Sequence, residues 1–139
     1  ADLDRLPPPG PAQARRPADL AALIERIRAG GTPVRATGLD LIPIERLDLA
    51  YRVLQESLTN VLRHGGGAAA QVRVAVGDDL RIVVTDDGVG AVSAGRGYGL
   101  IGLAERVGFA GGSMTAGPGP AGGYRVEVVL PPAADRVVT

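Results

Sequence analysis

From Ala18 the apolar residues Leu20, Leu23, Ile24 and Ile27 recur at three- and four-residue spacing, which lines one face of a helix, and Gly30-Gly31 stops the run. A short strand is expected around Val34. The helical period returns from Ile44 to His64, where Leu47, Ala50, Val53, Leu54, Ser57, Leu58, Val61 and Leu62 form a buried stripe ended by Gly65-Gly66-Gly67. The period then drops to two. Val72, Val74 and Val76 alternate with polar neighbours, Gly77-Asp78-Asp79 turns the chain, and Leu80, Ile82 and Val84 alternate again, which predicts a β-hairpin. A helix from about Leu100 to Phe109 follows, with Leu103, Ala104 and Val107 inward. Strands near Ser113–Ala116 and Tyr124–Leu130 close the pattern. Helices mixed with antiparallel hairpins, without strict βαβ alternation, predict an α+β fold: a two-layer α/β sandwich with one mixed, mostly antiparallel sheet and helices on one face.

The periodic region is expected to be one domain over residues 18–131. Residues 1–17, "ADLDRLPPPGPAQARRP", carry five prolines and no apolar period, so they read as a linker or arm. Residues 132–139 read as a flexible tail. The chain has 139 residues, 45% of them hydrophobic but only 3% aromatic, so the core must be aliphatic. The formal net charge is zero, a balance that by itself suggests no polyanion-binding surface and predicts no nucleic-acid partner. The absence of cysteine removes disulfides, thiolate metal sites and cysteine nucleophiles. No apolar run approaches the roughly 18 residues that span a bilayer, and no signal peptide opens the chain. The expectation is a cytoplasmic domain.

Three segments carry candidate chemistry. Glu56 and Asn60 lie four apart on the long helix, and Arg63 and His64 follow at its end. These residues read either as a solvated polar stripe with cations complementing the helix dipole, or as a Mg²⁺–phosphate corner in which an Asn carbonyl supplies one ligand oxygen. Asp86-Asp87-Gly88-Val89-Gly90 ends a predicted strand. It is either an ordinary tight turn, or a carboxylate aimed at an exocyclic amine with glycines that let a planar ligand approach. Gly97-Tyr98-Gly99-Leu100-Ile101-Gly102 matches G-x-G-x-x-G. The context argues against a dinucleotide fold, because no strand directly precedes the motif and no acidic residue follows at the required distance. Glycines that open a helix still leave free N–H groups at its positive end, where an anion binds.

In this order "ESLTNVLRH", "DDGVG" and "GYGLIGLAERV" resemble the N box and the two glycine boxes of the GHKL ATP-binding superfamily, which includes gyrase and the histidine kinases. "QESLTNVLRH" with "GYGLIGLAERVGFAGG" is most similar to sensor histidine kinases that partner LuxR/NarL-type response regulators. The resemblance runs from about Asp19 to Leu130 and implies the Bergerat-type sandwich, with ATP and Mg²⁺ as cofactors. It gives Asp86 the adenine amino group, with Gly88 and Gly90 making room for the base. Asn60 would coordinate Mg²⁺, Arg63 and His64 would lie near the phosphates, and Glu56 would polarise the attacking group or order metal-bound water. Gly97, Gly99 and the amides up to Leu100 would meet the phosphates. It also implies a phosphoacceptor histidine on a separate dimerisation hairpin, since His64 is the only histidine and lies inside the N box. The chain would then be the monomeric catalytic piece of a longer homodimeric protein, and the resemblance leaves open whether that full-length protein is anchored to a membrane. Two departures stand out. The lid, Ala91 to Arg96, is short and has no aromatic residue, and Tyr124 follows Gly122-Gly123 where the family commonly places a water-fixing Thr. An anti-sigma serine kinase of the same fold, or an interaction module that no longer binds ATP, are the competing readings.

Overall fold

The computed structural model describes residues 15–64, 67–88, 97–119 and 122–132. Pro17–Ala29 form α1. Proline suits its first turn, and the Arg16 N–H donates to the Asp19 carboxylate at 2.7 Å while the Asp19 N–H donates to the Arg16 carbonyl at 2.9 Å. At the far end, Arg28 donates through two nitrogens to the Val34 carbonyl, at 2.8 and 3.2 Å, and so ties the helix to the strand it precedes. That strand is β1, Val34–Thr37. Two single 3₁₀ turns, Leu39–Leu41 and Ile44–Arg46, lead into α2, Leu47–His64. Then come β2 (Ala70–Val76), β3 (Leu80–Asp86), α3 (Gly97–Phe109), β4 (Ser113–Pro118) and β5 (Tyr124–Leu130).

The strands form one sheet in the order β1-β2-β3-β5-β4. The β1–β2 pair is parallel and the others are antiparallel. This is the mixed, mostly antiparallel sheet that the pattern predicts. The alternation decides which face is dry: Val72, Val74, Ile82, Val84, Val126 and Val128 point to the helices, and the residues between them point away. Against that face lie Leu20, Leu23, Ile24 and Ile27 of α1, Leu54 and Leu58 of α2, and Leu103 and Val107 of α3.

Several element-level expectations are corrected. The long helix proper begins at Leu47, because Ile44–Arg46 adopt a 3₁₀ turn. Leu62 is 36% exposed rather than buried. It lies on the shoulder of α2 against the end of α1, where a Cβ on Gly30 would meet its Cδ2 at 3.1 Å. Val76, the last residue of β2, is exposed as well. α3 starts three residues earlier than predicted, at Gly97, and its Ala104 is exposed while Leu100, Leu103 and Val107 are buried. Tyr51 carries a buried role that the apolar stripe alone does not reveal. Its ring lies under the Arg15 guanidinium, 3.8 Å from the ring centre, and its hydroxyl accepts from Arg26 at 2.9 Å.

Candidate functional site

The three chemistry-bearing segments come from α2, the end of β3 and the start of α3, and α2 packs on both α3 and β3. β3 ends at Asp86, opposite Ala70 of β2. There the two adjacent acids divide in role. Asp86 is buried, and its Oδ1 accepts from the Gly88 N–H at 2.9 Å. Asp87 is exposed and pins the strand end instead: its Oδ1 accepts from the Ala69 N–H at 2.8 Å, and its own N–H donates to the Ala69 carbonyl at 3.1 Å. Asp87 is thus occupied with backbone, while the turn holds the Asp86 carboxylate in a fixed orientation.

Gly123 is the residue whose importance the sequence understated. It lies just before β5 with φ +71°, and a Cβ built on it would fall 1.9 Å from the Asp86 carbonyl oxygen and 3.1 Å from Asp86 Oδ1. Only glycine lets the loop before β5 close on Asp86. Tyr124 beside it is half-buried and packs on the core.

On α2, Asn60 is 6% exposed and engaged in a polar interaction, so it is not part of a solvated stripe. Glu56, one turn earlier, is half-buried and approaches α3. A Cβ on Gly99 would fall 1.9 Å from Glu56 Oε2, so the bare backbone of α3's first turn is what admits this carboxylate. Leu100 is buried behind it, and Gly97 opens the helix. Arg63 and His64 are exposed at the end of α2. Gly90 and the lid, residues 91–96, lie outside the described residues.

The structure brings Glu56 and Gly99 together, beside a groove of about 590 Å³ between α2 and α3 that Arg52, Gln55, Arg106 and Phe109 also line. Asp86 borders a different cavity, of about 460 Å³, at the β1–β2–β3 end of the sheet. Asn60 borders neither of these two cavities. The stretch from residue 89 to 96, which joins β3 to α3, lies outside the described residues.

A helix layer on one mixed sheet, with an Asp at the end of β3 and a glycine-rich helix start beside α2, defines the GHKL-type α/β sandwich. Residues 45–134 match the family "Histidine kinase-, DNA gyrase B-, and HSP90-like ATPase", and the chain belongs to that family. Among curated proteins it is similar to the sensor histidine kinase YxjM of Bacillus subtilis strain 168, at 39% identity over 84 residues, 58% of this chain and 20% of that protein. It is also similar to the signal transduction histidine-protein kinase/phosphatase UhpB of Salmonella typhimurium, at 38% identity over 58% of this chain and 16% of that protein. A third relative is the sensor histidine kinase NarS of Mycobacterium tuberculosis, at 38% identity over 60% of this chain and 21% of that protein. The chain thus spans about a fifth of the length of these relatives. Among solved structures, the histidine kinase domain of the Erythrobacter litoralis EL346 blue-light activated histidine kinase aligns with TM-score 0.61 and 24% identity, over 88% of this chain and 65% of that one. The mycobacterial sensor histidine kinase MprB aligns with TM-score 0.59 and 20% identity, over 81% and 91%. At these identities the structural matches establish the fold.

No helix among the described residues is long and apolar enough to cross a membrane.

Proposed function

We propose that residues 18–131 are the catalytic, ATP-binding unit of a two-component sensor histidine kinase, presenting the γ-phosphate of Mg²⁺-ATP to a histidine on a separate dimerisation domain. The observation that carries this reading is the buried Asp86 carboxylate, oriented by Gly88 and closed over by a glycine that admits no side chain. A buried carboxylate so held is suited to accept from the exocyclic amine of a purine, a charge-assisted bond of roughly 1.5–3 kcal/mol. Gly88 and Gly90 would leave the base room.

The donor set of α2 fits a magnesium–triphosphate. Magnesium is held by few protein oxygens plus phosphates and water, and the Asn60 side-chain carbonyl is one such oxygen on the helix that packs against β3. Arg63 and His64 would face the phosphates from the end of α2. Gly97, Gly99 and the Leu100 N–H would offer the positive end of α3 to the same anion. Glu56, beside that helix start, would orient the attacking group or a metal-bound water. Bound Mg²⁺-ATP supplies the transferable phosphoryl group and neutralises its charge, so the chain's own task is positioning. The downstream partner in this reading is a LuxR/NarL-type response regulator. The full-length protein acts as a homodimer through its phosphoacceptor domain, and the catalytic unit is cytoplasmic and monomeric by itself.

Titration calorimetry with Mg²⁺-ADP tests the pocket. Asp86→Asn and Asn60→Ala are each expected to weaken binding about tenfold or more, the equivalent of one lost charge-assisted contact. Equal heats in wild type and both variants would overturn the assignment.

A further inference from the structure

The sheet face turned away from the helices has a marked charge pattern. One row across the strands reads Arg35 (β1), Gln71 (β2), Thr85 (β3) and Arg125 (β5). The next reads Thr37, Arg73, Val83, Glu127 and Thr115, and the row beyond adds Arg81. Among the strand positions of this face, four arginines stand against one carboxylate. That carboxylate, Glu127, is already shared by Arg81 and by Arg125, the latter at 2.8 Å. Arg35 pairs with no carboxylate among the described residues, and Arg73 reaches only Gln71 Oε1, at 3.5 Å. No described helix packs on this face, and Arg35 and Arg73 are exposed.

The molecule as a whole is neutral, so this surplus is segregation of charge rather than composition. All fifteen basic side chains of the chain are arginines. Arginine's planar fork grips carboxylates in pairs of parallel hydrogen bonds, which an ammonium cannot do. We propose that this open sheet face docks an acidic partner protein, through a surface or segment that presents clustered Asp and Glu side chains.

The other polyanions fit less well. Glu127 stands among the arginines and would repel a continuous phosphate backbone, and the strand positions of this face carry no aromatic side chain on which bases would stack. A bilayer would need a cluster of large apolar or aromatic wedges beside the cations, and besides the separate small side chains of Ala75, Val83 and Val129 this face offers threonine, glutamine and serine. Two copies meeting face to face would bring like charges together. Discrete carboxylates can interleave with Glu127 and still reach Arg35, Arg73 and Arg125.

The test is fluorescence anisotropy of a fluorescein-labelled Glu/Ser-rich peptide on the whole chain, with salt varied. Saturable, salt-sensitive binding is expected. It should weaken about tenfold in Arg35→Glu/Arg73→Glu and about threefold in Arg35→Gln/Arg73→Gln, and stay unchanged in Arg52→Glu/Arg106→Glu, which alters charge equally on the helix side. Circular dichroism confirms that each variant is folded, and the Gln pair serves in place of the Glu pair if the latter is not. The proposal fails if wild type does not bind the peptide, or if the helix-side variant loses as much as the sheet-face variant. It also fails if phosphatidylglycerol vesicles or duplex DNA bind more tightly than the peptide at equal salt, or if the face proves to drive self-association in sedimentation.

Discussion

At Gly123 the backbone takes φ +71°, and the space a Cβ would need is filled by the carbonyl of Asp86. Gly122, one residue earlier, has φ +91° but open space around it. The pair separates strain from contact. Gly122→Ala should cost about 1–2 kcal/mol, the penalty of a left-handed backbone with a side chain. Gly123→Ala should cost roughly 2–4 kcal/mol, because the buried strand end must move as well. Urea unfolding of the two variants measures both, and a smaller loss at Gly123 than at Gly122 would show that its contact with Asp86 carries no stability. In the sequence Gly123 is one of several glycines in "GPGPAGG". The resemblance marks the Gly122-Gly123 pair but not which of the two must clear a neighbour, because that neighbour lies 37 positions earlier, at Asp86. Asp86 and Asp87 look alike in sequence too, and only the β2–β3 pairing assigns Asp87 to the backbone of Ala69.

At the scale of elements, α2 is the central support, touching α1, α3 and β3. Leu54 is fully buried within it. Leu54→Ala should destabilise the chain by about 2–5 kcal/mol, while Gln55→Ala, one residue on and exposed, should stay within about 0.5 kcal/mol. The midpoints of urea unfolding at unchanged slope test this, and equal losses at both positions would rule it out. The stripe of α2 was legible because leucines and valines at three- and four-residue spacing can bury themselves in only one way. Its shoulders were not. Leu62 satisfies the period, yet it stands where α1 ends at Gly30, so its burial depends on partner length rather than on its own helix. Ala104 satisfies it too but falls outside the buried arc of Leu100, Leu103 and Val107. The early start of α3 has a similar origin. Glycine disfavours helix by about 1 kcal/mol per residue, which hid the first turn from the pattern, and in the fold the Glu56 carboxylate occupies the space a Gly99 side chain would take.

Across the whole molecule, the sheet couples distant segments through Glu127. Arg125 and then Arg81 hydrogen-bond its carboxylate and hold its pKa below the ordinary glutamate value. In the unfolded chain the group titrates near about 4.3, so the unfolded state takes up the proton first as the pH falls. The contribution is therefore present above that value and is lost as the pH falls through the folded-state pKa. Wild type should be more stable than Glu127→Gln at pH 7, and the gap should narrow as the pH falls below the ordinary glutamate value. Urea melts of both proteins over that range would show it, and a gap that does not vary with pH would exclude the coupling. The same neutralisation leaves Arg35 and Arg73 as the open charges of the sheet face.

The periodicity of the chain alone settled the helices, the hairpin, the aliphatic core and the single helix-covered sheet, because each element must turn its apolar residues to one side before it meets a neighbour. The order of the short motifs pointed to the ATPase family for the same local reason: each box is a continuous run of residues. The tertiary structure decided what depends on partners far along the chain. It determined which of two aspartates is buried, which glycine must clear it, how closely Glu56 meets α3, and how the arginines gather on one face. Those are distances between segments, and a segment's own sequence cannot encode the distance to another until the fold has brought them together.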